Sequence, residues 1–392
     1  MRLSVLFFLG FASLARADGY REGLIYPSDP DRHDQVLAFY NAWKADFLVE
    51  GCGDGRAYVR FVTKADKDSG KDTSGTLTVS EAHGYGMLIL VLMAEHDPEA
   101  QRLFDAMLAY RDDHPAASDP GLMAWRQVEG CDNAPDGGDN TATDGDLDIA
   151  YALVLADRQW GGYRDRALQV MQATLDRVKS REGDFLTIGD WANDSEAHRG
   201  GTRSSDFMPT HFCTFAKASK DETWMAILDA TYAIIDAAAP EPTGLTPDFI
   251  TGLPDAPRPA LPEFLEGKDD GAHSWNAVRT PWRLALDDIL TGESRARRRL
   301  LLLNAFVRQA TGGDPLRIAD GYALDGMALN PDWDGGMVFT SMFAVSAMVD
   351  PSAPDWLDAL WARMVETPVT DEGYYGNTLK MLAMITLDGG WK

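Results

Sequence analysis

The sequence predicts an all-α protein built as a double-layered helical barrel, and three observations lead there. Apolar residues recur at helical rather than alternating spacing along almost the whole chain. The segment Met87–Met93 is apolar on every side, which a helix facing water cannot be, so it must lie inside a ring of other helices. About a dozen helix-length stretches follow one another in successive hairpins, and no fixed-period repeat favours the competing solenoid.

The N-terminus begins Met1-Arg2-Leu3, continues as an apolar run to Leu14 and ends in Ala15-Arg16-Ala17. A basic start, a short hydrophobic core and a small-x-small site predict a secretory signal peptide over 1–17. The rest, 18–392, reads as a single catalytic domain, secreted or periplasmic. No later segment is long and apolar enough to span a bilayer. The net charge of −25 repels nucleic acid and anionic lipid, so neither is an expected partner, and a monomer acting on a neutral or cationic ligand is expected.

Helical spacing then appears over about 33–48, 84–95, 98–112, from Asp144 through Leu155, and over 164–179, 222–238, 277–290, 297–310, 337–349, 354–365 and 376–387. Strand candidates are short, near Tyr58–Val62 and Thr76–Val79. Cys52 and Cys131 lie in Gly/Asp-rich loops and can pair with each other, three reduced cysteines being the alternative; Cys213 sits on what reads as a buried helix face. Seven prolines between Ala239 and Phe264 exclude a helix interior, yet Phe249, Ile250, Leu253 and Leu261 are more apolar than a solvated linker needs. That segment is read as an ordered loop crossing one barrel face.

Chemistry concentrates at two helix starts. Glu81 follows Ser80, a candidate N-cap, and precedes the buried helix; Gly84 and Gly86 admit close approach of backbone or ligand. Shielded by Tyr85, Glu81 would gain proton affinity and serve as an acid, whereas in the plainer reading it only complements the helix dipole. Asp144, Asp146 and Asp148 crowd the second start, where hydrogen bonds, an arginine or a bound partner must offset their repulsion. Calcium is the sharp alternative there, supported by the acidic run Asp132–Asp139 but lacking EF-hand ligand order. No G-x-S-x-G elbow, H-E-x-x-H run or phosphate loop appears, and of the scattered histidines only His83 adjoins Glu81.

With those residues in view, Ser80–Met87 resembles the S-E-G-x-G-Y-G-M signature of family 8 glycoside hydrolases, and Ala142–Trp160 is similar to that family's A-[ST]-D-[AG]-D helix. Arg203–Met208, Asn276–Arg283, Gly321–Gly326 and Tyr374–Lys380 extend the resemblance in order along the chain. It implies an (α/α)6 barrel with an open cleft that hydrolyses a β-linked polysaccharide (glucan, xylan or chitosan) with inversion, using neither metal nor organic cofactor. Glu81 then aligns with the general acid and Asp144 with the aspartate that grips the sugar at the cleavage point. Inversion needs a second carboxylate about 6.5–9.5 Å away, leaving room for water.

The chain departs from the commonest family pattern where the base is usually aspartate, for Asn276 stands there, and an amide cannot take a proton. Glu266-Gly267-Lys268-Asp269-Asp270-Gly271 resembles the E-G-x-x-D-G insertion of the chitosanase and lichenase branch, which makes Glu266 the expected base, with Glu263, Asp269 and Asp270 as competitors. Ala82 replaces a usual glycine, and Trp275 a tyrosine that helps hold the nucleophilic water. Trp125, Trp191 and Tyr374 are candidate sugar-stacking residues or plain core, and Arg279 pairs with a site carboxylate, binds a hydroxyl or serves as a structural ion-pair partner. An alternative of another class is a catalytically silent glycan-binding barrel that lost its base at Asn276.

Overall fold

The computed structural model describes residues 19–62, 75–332 and 335–391, so the expected signal peptide over 1–17 lies outside the described residues. Twelve α-helices occur among them: α1 (Arg32–Phe47), α2 (Ser80–Leu92), α3 (Ala100–Asp113), α4 (Thr143–Gln159), α5 (Arg164–Arg177), α6 (Pro209–Ser219), α7 (Thr223–Ala238), α8 (Thr280–Thr291), α9 (Ser294–Thr311), α10 (Gly336–Ala347), α11 (Pro354–Glu366) and α12 (Tyr374–Leu387). The even-numbered helices pack in a closed ring, each on the next and α12 back on α2. Each is flanked by an odd-numbered helix outside it, which completes the (α/α)6 barrel.

The two layers are visible in the burial of each helix. On α2 every residue except Glu81 is buried, and α10 is buried from Met337 to Ala347, because each is enclosed by neighbouring inner helices and the outer layer. Outer helices bury one stripe only: on α9 Ala296, Leu300, Leu303 and Val307 face in while Arg298, Ala305 and Gln309 face water. The α2–α4 seam is especially close. A Cβ on Gly84 would lie 2.7 Å from that of Asp148, and one on Gly145 would run into Ser80. The glycines thus admit neighbouring protein rather than a ligand.

Among the described residues three small antiparallel sheets sit where the chain enters inner helices. β1 (Leu48–Glu50) pairs with β2 (Ala57–Val59); β3 (Thr76–Val79) pairs with β4 (Arg126–Val128) and leads directly into α2; β5 (Asp132–Asn133) completes that sheet. β6 (Thr202–Arg203), β7 (Phe249–Thr251) and β8 (Arg258–Pro259) form the third. β7 and β8 belong to the proline-rich segment, which is ordered: Phe249, Ile250 and Leu253 are buried, whereas Leu261 is exposed. Cys52 and Cys131 form a disulfide joining the β1–β2 turn to the β4–β5 turn. Cys213 is a free, half-buried thiol on α6.

Two expectations need correction. Ser80 is not an N-cap: extended Val79 occupies that position with no side-chain cap, and Ser80 is the first helical residue, its hydroxyl buried beside Gly145. The helix expected from 277 begins instead as a short 3-10 turn, Ala277–Arg279, with Pro281 opening α8 proper. The chain is closed on itself near Tyr20, whose hydroxyl donates to the Thr386 carbonyl (3.0 Å) and accepts from the Trp391 N–H (3.3 Å).

Candidate active site

Glu81 lies in the first turn of α2, Asp144 in the first turn of α4, Arg279 just before α8 and Tyr374 at the start of α12. Because every second helix of the barrel runs the same way, these N-termini share one end of the ring. Their unsatisfied N–H groups give that end a positive bias that favours carboxylates.

Arg279 is the hub. It donates to Glu81 Oε2, to Asp144 Oδ2 (2.7 Å) and, through its other terminal nitrogen, to Asn276 Oδ1 (2.9 Å). Asn276 Nδ2 in turn donates to Glu266 Oε2 at 2.8 Å. Glu81 and Glu266 are therefore the two ends of one hydrogen-bonded row, Glu81–Arg279–Asn276–Glu266. Tyr374 donates to the remaining Glu81 oxygen at 2.8 Å.

The row separates the carboxylates by environment. Glu81 is half-buried, and burial raises its proton affinity above the ordinary glutamate range; Arg279 pulls against that rise and the Asp144 charge adds to it. Burial would lift Asp144 as well, but Arg203 (2.9 Å) and Arg279 outweigh it and hold its carboxyl at about 2. Glu266 is exposed to solvent. The structure thus sets a shielded carboxyl of raised proton affinity beside one whose ionised form two arginines favour, and across from an open one.

The other expected residues fall as follows. Trp125 and Trp191 are half-buried, the Trp125 indole N–H donating to the Gly137 carbonyl (2.9 Å) and Trp191 packing on the small apolar cluster of Ile188, Phe249 and Ala260. Tyr374 is 3% exposed and spends its hydroxyl on Glu81, so its ring is core and its polar tip belongs to the site. Trp275 is 47% exposed, edge-on to Phe339. Among the competitors for the base, Asp270 is buried and accepts three backbone N–H groups, Asp269 faces Lys268 (3.6 Å), and Glu263 is exposed at a positive φ of 63°. His83 points away from Glu81 and hydrogen-bonds the Met107 carbonyl (2.7 Å).

The three crowded aspartates are neutralised by protein. Asp148 takes both terminal nitrogens of Arg283 (2.8 and 2.6 Å) and His211 (2.9 Å). Asp146, pushed up to about 7 by burial, accepts the Met123 N–H. Among the described residues no three His, Cys, Asp or Glu side chains converge as a metal site. Sequence reasoning missed Arg203 and Asp206, the latter buried, pushed up to about 7 and paired to Arg203 at 3.2 Å. It also missed Asp248, which accepts the Ser274 and Ala277 N–H groups (2.9 and 2.6 Å) and so holds the turn that carries Asn276. A lone acidic residue in a proline-rich segment gives no sequence signal of that role.

Comparison with known proteins agrees with the barrel fold. The family Glycosyl hydrolases family 8 matches residues 35–389. A beta-glucanase of Niallia circulans is 36% identical over 383 residues, covering 95% of this chain and 89% of the relative. An endoglucanase of Bacillus sp. (strain KSM-330) is 31% identical, covering 94% and 79%. A solved beta-1,3-1,4-glucanase from Paenibacillus sp. X4 superposes with a TM-score of 0.88 at 36% identity, covering 95% of this chain and 97% of that one.

Proposed function

Because the chain belongs to glycosyl hydrolase family 8 and is a glycoside hydrolase, we propose that it cleaves β-1,4-linked or mixed-linkage glucan internally and with inversion. The observation that carries this reading is the row Glu81–Arg279–Asn276–Glu266, with a shielded carboxyl at one end and an exposed one at the other. Glu81 is the general acid: burial raises its proton affinity, which suits a group that must deliver a proton to the departing glycosidic oxygen. Glu266 is the general base, taking the proton of a water that attacks the anomeric carbon from the opposite ring face. Asn276, which cannot take a proton, orients the base instead. Asp144 stays ionised beside the positive charge that develops on the sugar ring, and Trp125, Trp191 and exposed Trp275 offer apolar faces for further sugar units.

The glucan class rests on the relatives, which are named beta-glucanase, endoglucanase and beta-1,3-1,4-glucanase. We also propose export, with cleavage after Ala17; the Cys52–Cys131 disulfide suits an oxidising compartment. Mass spectrometry of the extracellular and periplasmic fractions for a chain starting at Asp18 tests that.

Reducing-end release from barley β-glucan, carboxymethyl cellulose and chitosan tests the activity, with Glu81→Gln and Glu266→Gln as variants. Turnover of a glucan, lost by about 10²- to 10⁴-fold in each variant, is expected. Full activity without Glu266 rejects the base, and a wild-type chain that binds but cuts none of the three is the silent glycan-binding barrel. Proton NMR of the first product anomer decides inversion.

A further inference from the structure

The base proposed above sits on a loop with little of its own structure. Glu266 is exposed, its side chain is held at one point by Asn276, and Leu265 beside it is 38% exposed. A catalytic carboxylate on such a loop would sample many positions unless the backbone beneath it were fixed. Asp270 supplies that fixation. Its Oδ2 accepts the N–H groups of Leu265 (2.7 Å) and of Glu266 itself (3.1 Å), and its Oδ1 accepts that of Gly267 (2.9 Å). Three consecutive amides thus wrap one carboxylate, a concave arrangement suited to an anion.

Asp270 is in turn immobile. It is 3% exposed, and its carbonyl accepts the Phe249 N–H (2.9 Å), which ties it to β7. On the other side of the base, the Phe264 carbonyl is hydrogen-bonded to His198 (3.1 Å). The count of acceptors matters: a carboxylate presents two acceptor oxygens to three donors, whereas an amide at 270 offers one and sets an N–H₂ against the remaining N–H. Neighbouring Asp269 shares none of these bonds.

We infer that Asp270 is the positioning residue of the catalytic base, clamping the backbone of residues 265–267 so that the Glu266 carboxylate is presented to the nucleophilic water at one place in the cleft. This rests on Glu266 being the base. It predicts that Asp270 acts on kcat through Glu266 and leaves glucan binding alone.

The test measures kcat and KM on barley β-glucan for Asp270→Ala, Asp270→Asn, Asp269→Ala and Glu266→Ala, with sodium azide added to a parallel set. Azide attacks the anomeric carbon, the C–N bond forming as the C–O bond breaks. The Glu81 proton passes to the leaving oxygen and no proton has to be removed from the nucleophile, so this route needs no base. Asp270→Ala should lose about 100-fold in kcat with KM unchanged within about twofold, the scale of a misplaced catalytic group. Asp270→Asn should lose about tenfold, and Asp269→Ala nothing. The azide-supported rate of Glu266→Ala should be the same with and without Asp270→Ala, because the base through which Asp270 acts is already gone.

A wild-type kcat in the Asp270 variants, with Glu266→Ala inactive, overturns the inference and spares the base. Full activity of Glu266→Ala overturns both. An azide-supported rate that drops tenfold on adding Asp270→Ala makes Asp270 a support of the cleft at large and likewise rejects its positioning role.

Discussion

Arg279 touches both Glu81 and Asp144, so its charge enters the proton affinity of the acid directly. The positive charge favours ionised Glu81 and partly offsets the rise caused by burial. As the proposed acid Glu81 acts when protonated, so kcat/KM should fall as pH rises through its titration. Arg279→Ala removes the offset, and the alkaline limb of the kcat/KM profile should move to higher pH while the maximum drops by on the order of 10²-fold. A limb that stays in place would mean that Arg279 does not govern the acid. The residues of this row were legible because they sit in long motifs: Glu81, like Asp144 beside it, stood out at a helix start, and Glu266, Asn276 and Arg279 through the resemblance. Tyr374 was read only as a stacking ring or core, because a sequence does not show where a hydroxyl points. Asp248 stayed hidden because its partners are backbone N–H groups far along the chain.

At the scale of elements, the α2–α4 seam sets the spacing between Glu81, the proposed acid, and Asp144, proposed to grip the sugar. Gly84 and Gly145 let the two helices approach until Asp148 fits against the α2 backbone, and Arg283 with His211 neutralises it from α8 and α6. Gly84→Ala should cost about 1–3 kcal/mol by overpacking, read as a lowered midpoint in urea unfolding, and should also lower kcat because Glu81 rides on the same helix. An unchanged midpoint would show that the seam relaxes without cost. Most helices were predictable to within a few residues from their apolar spacing. α2 was placed four residues late because its first turn, Ser80–His83, is mostly polar and Gly84 and Gly86 follow it, and α6 escaped the list of stretches because it is short, its stripe confined to the surroundings of Phe212 and Phe215. Of the small strands, two to four residues long, those at Ala57–Val59 and Thr76–Val79 were read from sequence, and the others are too short for an alternating pattern to register.

Over the whole molecule, the barrel is one ring whose loops are tied to one another across long stretches of chain. The Cys52–Cys131 disulfide closes a separation of 79 residues between two hairpins on the cleft side. Replacing both cysteines by serine should lower unfolding free energy by about 2–4 kcal/mol while leaving kcat on glucan unchanged, since neither contacts the row of polar side chains. A thermal midpoint equal to the wild type would assign the pair no role in holding the fold. The acidic balance of −25 was read from sequence as repelling phosphate polymers, and the structure shows how the fold tolerates it near the cleft. Of the carboxylates buried there, Asp144, Asp148 and Asp206 each meet a buried or half-buried arginine, Asp148 also His211, while Asp146, Asp248 and Asp270 accept backbone N–H groups.

Tyr20 and Trp391 meet through the hydroxyl of one and the backbone N–H of the other, at 3.3 Å. A ring whose first and last segments touch has no required starting point: the same succession of hairpins can be entered elsewhere. The exposed pair Gly161-Gly162, between α4 and α5 at the rim remote from the carboxylates, is the natural new opening. A circular permutant beginning there, with a short glycine-serine bridge spanning the old ends, should hydrolyse glucan at a rate close to that of the parent.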